Sequence, residues 1–171
     1  MIKLYLAQPY THQHEDCREW RFTQACKASA VLYNAGLDVR SPIAHCHPIA
    51  KYLNNHNSRD FWLRITYRWL EDCNGIGILM LPGWEYSVGI DKEILHAAHK
   101  GNFIVAFDAM TLIEKEDYRG SVRAVEDRHL AGSARGGFVP VPEILRPAGG
   151  GPASNQDNPE ESKEIPRQEE G

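Results

Sequence analysis

The chain has 171 residues, 42% of them hydrophobic, and a formal charge of −4 at pH 7. That length and apolar share suit one domain able to enclose a core. Lys and Arg are scattered along the sequence instead of forming the concentrated basic surface that a phosphate backbone requires, which excludes long nucleic acid as a partner.

Cys17, Cys26, Cys46 and Cys73 form neither a CxxC pair nor a dense framework, and the opening MIKLYLAQPY lacks the long apolar stretch of a signal peptide. A reduced, cytoplasmic protein is expected. No apolar run approaches the roughly 20 residues needed to cross a bilayer, so no membrane partner is expected.

In chain order, Ile2–Gln8 is a compact apolar run that predicts a buried parallel strand, closed by Pro9 and a polar turn. From about His14 to Ala35, Phe22, Cys26, Ser29 and Leu32 or Tyr33 recur at spacings of three and four, which predicts an amphipathic helix stopped by Gly36. Leu37–Arg40 follows as a short strand. Residues 41–57, with Pro42, Pro48 and several His and Asn, predict a loop. Ser58 and Asp60 open a helix to about Cys73.

Gly75–Leu81 is the next buried strand, ended by Pro82-Gly83. Ser87 N-caps a helix that runs to Lys100-Gly101, and Asn102–Phe107 forms another apolar strand. The alternation predicts an α/β fold, a doubly wound parallel sheet covered on both faces, with its ligand site beyond the carboxyl ends of the strands. One more helix is expected within 111–130 and a short strand at 138–141. The domain spans residues 1–145. From about Arg146 the composition turns to Gly, Pro, Ser, Asn, Gln and Glu, predicting a disordered tail over 146–171, because so little apolar surface cannot offset the entropy of ordering.

The segment from Asp72 to Glu93 is the richest in chemistry. It holds one carboxylate just before a strand and another in the second turn of the next helix. On a helical wheel Glu93 sits beside the arc of Ile90, Ile94 and Ala97, not opposite it with Lys92, His96 and His99. A carboxylate there is partly buried, and either it is tuned for acid, base or nucleophile work or it is ion-paired at the sheet edge. Ser87 is in one reading only a cap. In another it marks a helix N-terminus whose free N–H groups and positive dipole end hold a phosphate, with Gly89 permitting close approach. No Walker or dinucleotide glycine pattern is present, and no cofactor is expected.

The opening Lys3-Leu4-Tyr5-Leu6-Ala7-Gln8-Pro9 and the pattern Ser87-x-Gly89-x-x-x-Glu93, followed by Ala97 and Gly101, resemble the nucleoside 2-deoxyribosyltransferase superfamily over about residues 2–107. That superfamily includes nucleotide N-glycosidases acting on nucleoside 5′-monophosphates. The resemblance implies that Glu93 is a nucleophile attacking C1′ of the sugar, that Tyr5 holds it in position, and that Asp72 assists proton transfer near the departing base. It also implies a homo-oligomer, because related pockets are completed by a neighbouring subunit. Transferases acting on free nucleosides carry an acidic residue at the Ser87 position, where it would repel a phosphate. Ser87 therefore favours a monophosphate and hydrolysis over base exchange.

Arg18 or Arg21 could balance the phosphate charge, or could be solvated helix residues. His45 and His47 could line the nucleotide pocket or satisfy loop hydrogen bonds; two His-x-His pairs in separate loops make a poor metal signature, and no metal is expected. Trp84 and Tyr86 could stack on a base or cover the core edge. The expected partner is a small nucleotide or nucleoside. Besides hydrolysis, base exchange by a deoxyribosyltransferase and nucleotide sensing without turnover remain as readings; a purely structural protein would leave Tyr5, Asp72 and Glu93 unexplained.

Overall fold

The computed structural model describes residues 1–53 and 59–114, with the single positions 123, 127 and 130 beyond them. Among the described residues four strands, β1 (Lys3–Ala7), β2 (Asp38–Arg40), β3 (Gly75–Met80) and β4 (Phe103–Asp108), form one sheet in the order β2-β1-β3-β4. Every pairing is parallel. Helices α1 (Glu15–Asn34), α2 (Pro42–Ala50), α3 (Arg59–Glu71) and α4 (Val88–His99) connect them. The chain winds from β1 outward to β2, then returns past β1 to β3, so the winding reverses between β1 and β3. In an open sheet of this kind ligands bind at that reversal, outside the carboxyl ends of the strands.

The alternation of side chains along each strand sorts the core into two clusters. Leu4, Leu6, Leu79, Leu81, Phe103, Val105 and Phe107 lie on one face with Ala28 and Leu32 of α1. Tyr5, Ala7, Ile76, Ile78 and Ile104 lie on the other with Leu70 of α3 and Ile90, Ile94, Ala97 and Ala98 of α4. The doubly wound fold with helices on both faces is therefore the observed one. Gly77 in β3 is a notch in this packing: a Cβ there would come within 2.5 Å of the Phe107 ring.

Helix ends obey local chemistry. At the end of α1, Gly36 takes φ 86°, its N–H donates to the Tyr33 carbonyl, and the Leu37 N–H donates to the Leu32 carbonyl. This is a Schellman stop, which a residue with a Cβ adopts only under strain. Gly101 ends α4 the same way, with φ 74°, and the chain turns at once into β4.

Two expectations need correction. The predicted loop over 41–57 contains α2. Ser41 caps that helix by accepting a hydrogen bond from the Ala44 N–H at 3.3 Å, and Pro42 occupies the first turn, where its missing N–H costs nothing. The signals read as loop were those of a helix start. Second, the buried face of α1 is Arg21, Ala25, Ala28, Ser29 and Leu32, while Cys26 and Tyr33 are exposed and Phe22 is half-buried. Small alanines let α1 lie close to the sheet, and the buried arginine is hidden from any hydrophobic count. The helix expected from Ser58 and Asp60 to about Cys73 is α3, Arg59–Glu71, and Cys73 is buried at the entry to β3. Beyond β4 a π turn covers Met110–Glu114. The rest of the predicted 111–130 helix, the strand at 138–141 and the tail from 146 lie outside the described residues, the three single positions excepted.

All four cysteines are free thiols. Among the described residues no helix is long and apolar enough to cross a membrane.

Candidate functional site

The two carboxyl ends that face the winding reversal carry Gln8-Pro9-Tyr10-Thr11 after β1 and Leu81-Pro82-Gly83 after β3. After β3 the chain makes a short 3₁₀ turn, Trp84–Tyr86, and enters α4 through Ser87. Ser87 Oγ accepts from the Ile90 N–H at 3.4 Å. The N–H groups of Val88 and Gly89 meet no acceptor among the described residues, and they stand at the positive end of a 12-residue helix. A Cβ on Gly89 would meet only Ser87 Oγ, at 3.7 Å. The fold itself does not require glycine there, and the side chain's absence leaves the approach to these N–H groups open.

Glu93 projects from the second turn of α4 toward the sheet. The Tyr5 hydroxyl donates to its Oε1 at 2.6 Å. Tyr5 is fully buried in the middle of β1, level with Ile76 of β3, among aliphatic side chains of α3 and α4. The shoulder position read from the helical wheel is thus a half-buried carboxylate with one strong donor. Burial pushes the Glu93 carboxyl from its ordinary value near 4.5 up to about 7, and the Tyr5 hydrogen bond works in the opposite sense. Burial, and then the neighbouring Glu93 charge, push the Tyr5 phenol well above its usual range, so Tyr5 stays a donor. The pair can place a weakly solvated carboxylate oxygen in a fixed direction, as a nucleophile requires, or hold a proton near neutrality.

The other residues singled out in the sequence are distributed unevenly. Arg21 is buried against the same crevice: its guanidinium donates to the Thr11 carbonyl at 2.9 Å and the Pro82 carbonyl at 3.1 Å, tying the loop after β1 to the loop after β3. Gln8, also buried, donates to the Arg21 carbonyl at 2.7 Å. Arg21 Nε and Gln8 Oε1 find no partner among the described residues. Arg21 is therefore a clamp between the two loops and not a solvated helix residue. Arg18 instead caps the preceding turn, donating to the carbonyls of His12 and Gln13. Trp84 packs half-buried against the Tyr5 cluster, and Tyr86 is exposed.

Asp72 lies elsewhere. It precedes β3 at the amino end of the sheet, exposed, with Lys3 Nζ 2.9 Å from its carboxylate. The Lys3 hydrogen bond and charge hold its carboxyl below the usual range, Arg40 adds to that, and Glu93 takes no part. The structure does not bring Asp72 to the Tyr5–Glu93 pair. Its place before a strand of a parallel sheet is the sequence signal that locates it at this end.

His45 and His47 sit on α2 and diverge. His45 meets Trp69 edge-on with ring centroids 5.0 Å apart, at a cavity of about 340 Å³ beside β2 that is also lined by Tyr33, Arg40 and Ser41. Tyr5 and Glu93 do not line that cavity, which belongs to the outer edge of the sheet. His47 turns inward. Its Nδ1 is 2.8 Å from the Tyr10 hydroxyl and its Nε2 is 2.8 Å from Glu19 Oε1. Tyr10 and Glu19 had no motif to announce them, although Tyr10 follows β1 at the end where ligands bind. Among the described residues no three metal-ligating side chains converge.

Residues 2–109 match the family described as Domain of unknown function (DUF1937). The chain belongs to that family. The matched segment runs from β1 through β4 and so contains the four described strands, the Tyr5–Glu93 pair and the Arg21 clamp. No curated protein matches the sequence.

Proposed function

We infer that the protein hydrolyses the N-glycosidic bond of a nucleoside 5′-monophosphate, releasing free base and sugar phosphate. The observation that carries this reading is the hydrogen bond from Tyr5, buried in β1, to half-buried Glu93 of α4, one helical turn and a half from a helix N-terminus whose Val88 and Gly89 N–H groups meet no acceptor among the described residues. A phosphate on Val88 and Gly89 N–H would be held by fixed dipoles, and the sugar attached to it would extend along α4 toward Glu93. Glu93 Oε attacks C1′ as the C1′–N bond breaks, and water then releases the sugar from the glycosyl ester. Tyr5 keeps the attacking oxygen oriented. Arg21 fixes the spacing between the loops that flank this path, and Trp84 walls its apolar side. The expected species is a cytoplasmic homo-oligomer without a cofactor, in line with the resemblance to nucleotide N-glycosidases.

The second reading, base exchange on free nucleosides, shares the Tyr5–Glu93 chemistry and differs at Ser87. The two part on phosphate. With wild type, kcat/KM for a nucleoside 5′-monophosphate should exceed that for the matching nucleoside by about 10-fold or more, since charge-assisted hydrogen bonds are each worth about 1.5–3 kcal/mol. Ser87→Asp should erase the preference while sparing the nucleoside. A wild type that prefers the free nucleoside and transfers its sugar to an added base would replace the hydrolase with the transferase.

A further inference from the structure

A base departs from C1′ more readily when one of its nitrogens accepts a proton as the bond breaks. Asp72, bound to Lys3 at the far end of the sheet, is not placed to give one. At the carboxyl end three side chains from three separate elements meet. Tyr10 stands three residues beyond β1, His47 lies on α2 and Glu19 on α1, linked hydroxyl to imidazole to carboxylate at 2.8 Å and 2.8 Å. The imidazole is fixed in plane: Phe22 stacks on it at 4.3 Å with rings 14° apart, and the Tyr10 ring meets it edge-on. His47 is bonded through both nitrogens, and Tyr10 lies in the loop after β1 whose next residue, Thr11, is tied by the Arg21 guanidinium to Pro82 of the loop after β3. The chain of groups therefore borders the same crevice as Glu93.

Building on the N-glycosidase reading of Glu93, we propose that Tyr10, backed by His47 and Glu19, is the proton donor to the departing base. The step balances with His47 as the imidazolium, Nε2–H on Glu19 and Nδ1–H on the Tyr10 oxygen. As the C1′–N bond breaks and the C1′–O bond to Glu93 forms, the Tyr10 proton passes to a base nitrogen and the His47 Nδ1 proton replaces it on Tyr10. His47 is left neutral. When water displaces Glu93 from C1′, its proton passes to Tyr10 as the Tyr10 proton returns to His47 Nδ1. Burial raises the Tyr10 phenol above its ordinary range, with Glu19 and Cys46 adding to that effect and Arg18 opposing it. A phenol that resists ionisation gives up its proton only when another arrives in the same step, which is the task His47 performs; Glu19 balances the imidazolium charge and fixes the ring.

The test compares two leaving groups in the full-length protein. One substrate is the nucleoside 5′-monophosphate that wild type cleaves fastest. The other is 4-nitrophenyl riboside 5′-phosphate, whose leaving group departs as a stable phenolate and needs no proton. Tyr10→Phe and His47→Gln should slow base release by about 10²–10⁴-fold while changing nitrophenolate release by less than about threefold. Glu93→Gln should abolish both. Equal losses on the two substrates, or no loss on either, would show that the three residues only brace α1 against α2 and would overturn the proposal while leaving Glu93 in place. A wild type that cleaves neither substrate, or a Glu93→Gln variant that cleaves both, would remove the glycosidase reading and the relay with it.

Discussion

The two faces of the sheet are built from the same strands and are not alike. Under α1 the hydrophobic cluster is filled by Leu4, Leu6 and the rings of Phe103 and Phe107, and the buried polar side chains of that helix, Arg21 and Ser29, donate to backbone carbonyls. Under α3 and α4 an otherwise aliphatic cluster contains Tyr5, hydrogen-bonded to a carboxylate that burial makes costly to ionise. Strand β1 supplies both faces, Leu4 and Leu6 to one and Tyr5 and Ala7 to the other. A face built only for stability would carry Phe and Leu in place of the pair, since burying a carboxylate opposes folding whenever it is charged. The face under α1 buries no carboxylate among the described residues and holds the sheet together, and the other face gives up stability to keep one oxygen poorly solvated.

Leu4→Ala should show the largest loss of stability. Leu4 is fully buried, so its truncation should cost about 2–5 kcal/mol in a denaturant titration, with no change in the pH at which activity is half-maximal. A shift in that pH would mean the faces are not independent.

Glu93→Gln should act in the opposite direction, increasingly so as pH rises. Because the folded state keeps the Glu93 proton up to about pH 7 while the unfolded chain releases it near 4.5, the stability of the neutral form is fully present below the lower value. It is lost as pH rises through the upper one. Gln is never charged, so the variant should gain on wild type between those limits, by an amount on the order of 3 kcal/mol at most. Paired thermal melts at pH 5 and pH 8 measure it; a difference independent of pH would contradict a buried, ionising Glu93.

Tyr5→Phe should have a smaller and more specific effect. Losing the Tyr5 hydrogen bond, which pulls the Glu93 carboxyl downward, should raise its value further, by about one pH unit or more for a bond to a charged group. The acid limb of kcat/KM should move up with it, toward higher pH, and kcat should fall more than KM rises. An unchanged limb would assign the profile to another group.

Much of this contrast was readable in the sequence, for physical reasons that also explain what was not. Strands buried on both sides are near-continuous apolar runs, so β1, β3 and β4 announce themselves, and Gly36 and Gly101 mark helix ends because those ends require a left-handed residue. Glu93 was placed on the shoulder of α4 by periodicity alone, whereas its pairing with Tyr5 spans 88 positions and came only through resemblance. Helix α2 was obscured because Pro42, Pro48 and the histidines carry loop signals when tertiary contacts are unseen. Arg21 is legible only as a phosphate partner or a solvated helix residue, because nothing local tells a buried arginine from a solvated one; its acceptors, Thr11 and Pro82, lie on separate loops. The Tyr10–His47–Glu19 chain is likewise assembled by α1 and α2 packing together. Asp72 is the instructive case, since strand direction alone puts a residue just before β3 at the end of the sheet opposite the crevice.

The most direct test of the account is the fate of the sugar. Wild type incubated with a panel of nucleoside 5′-monophosphates should release free base, and rapid acid quenching followed by peptide mass spectrometry should find a sugar-phosphate ester on Glu93, absent from Glu93→Gln along with the turnover. An adduct on any other residue, or undiminished base release by Glu93→Gln, would contradict the assignment of Glu93 as the nucleophile.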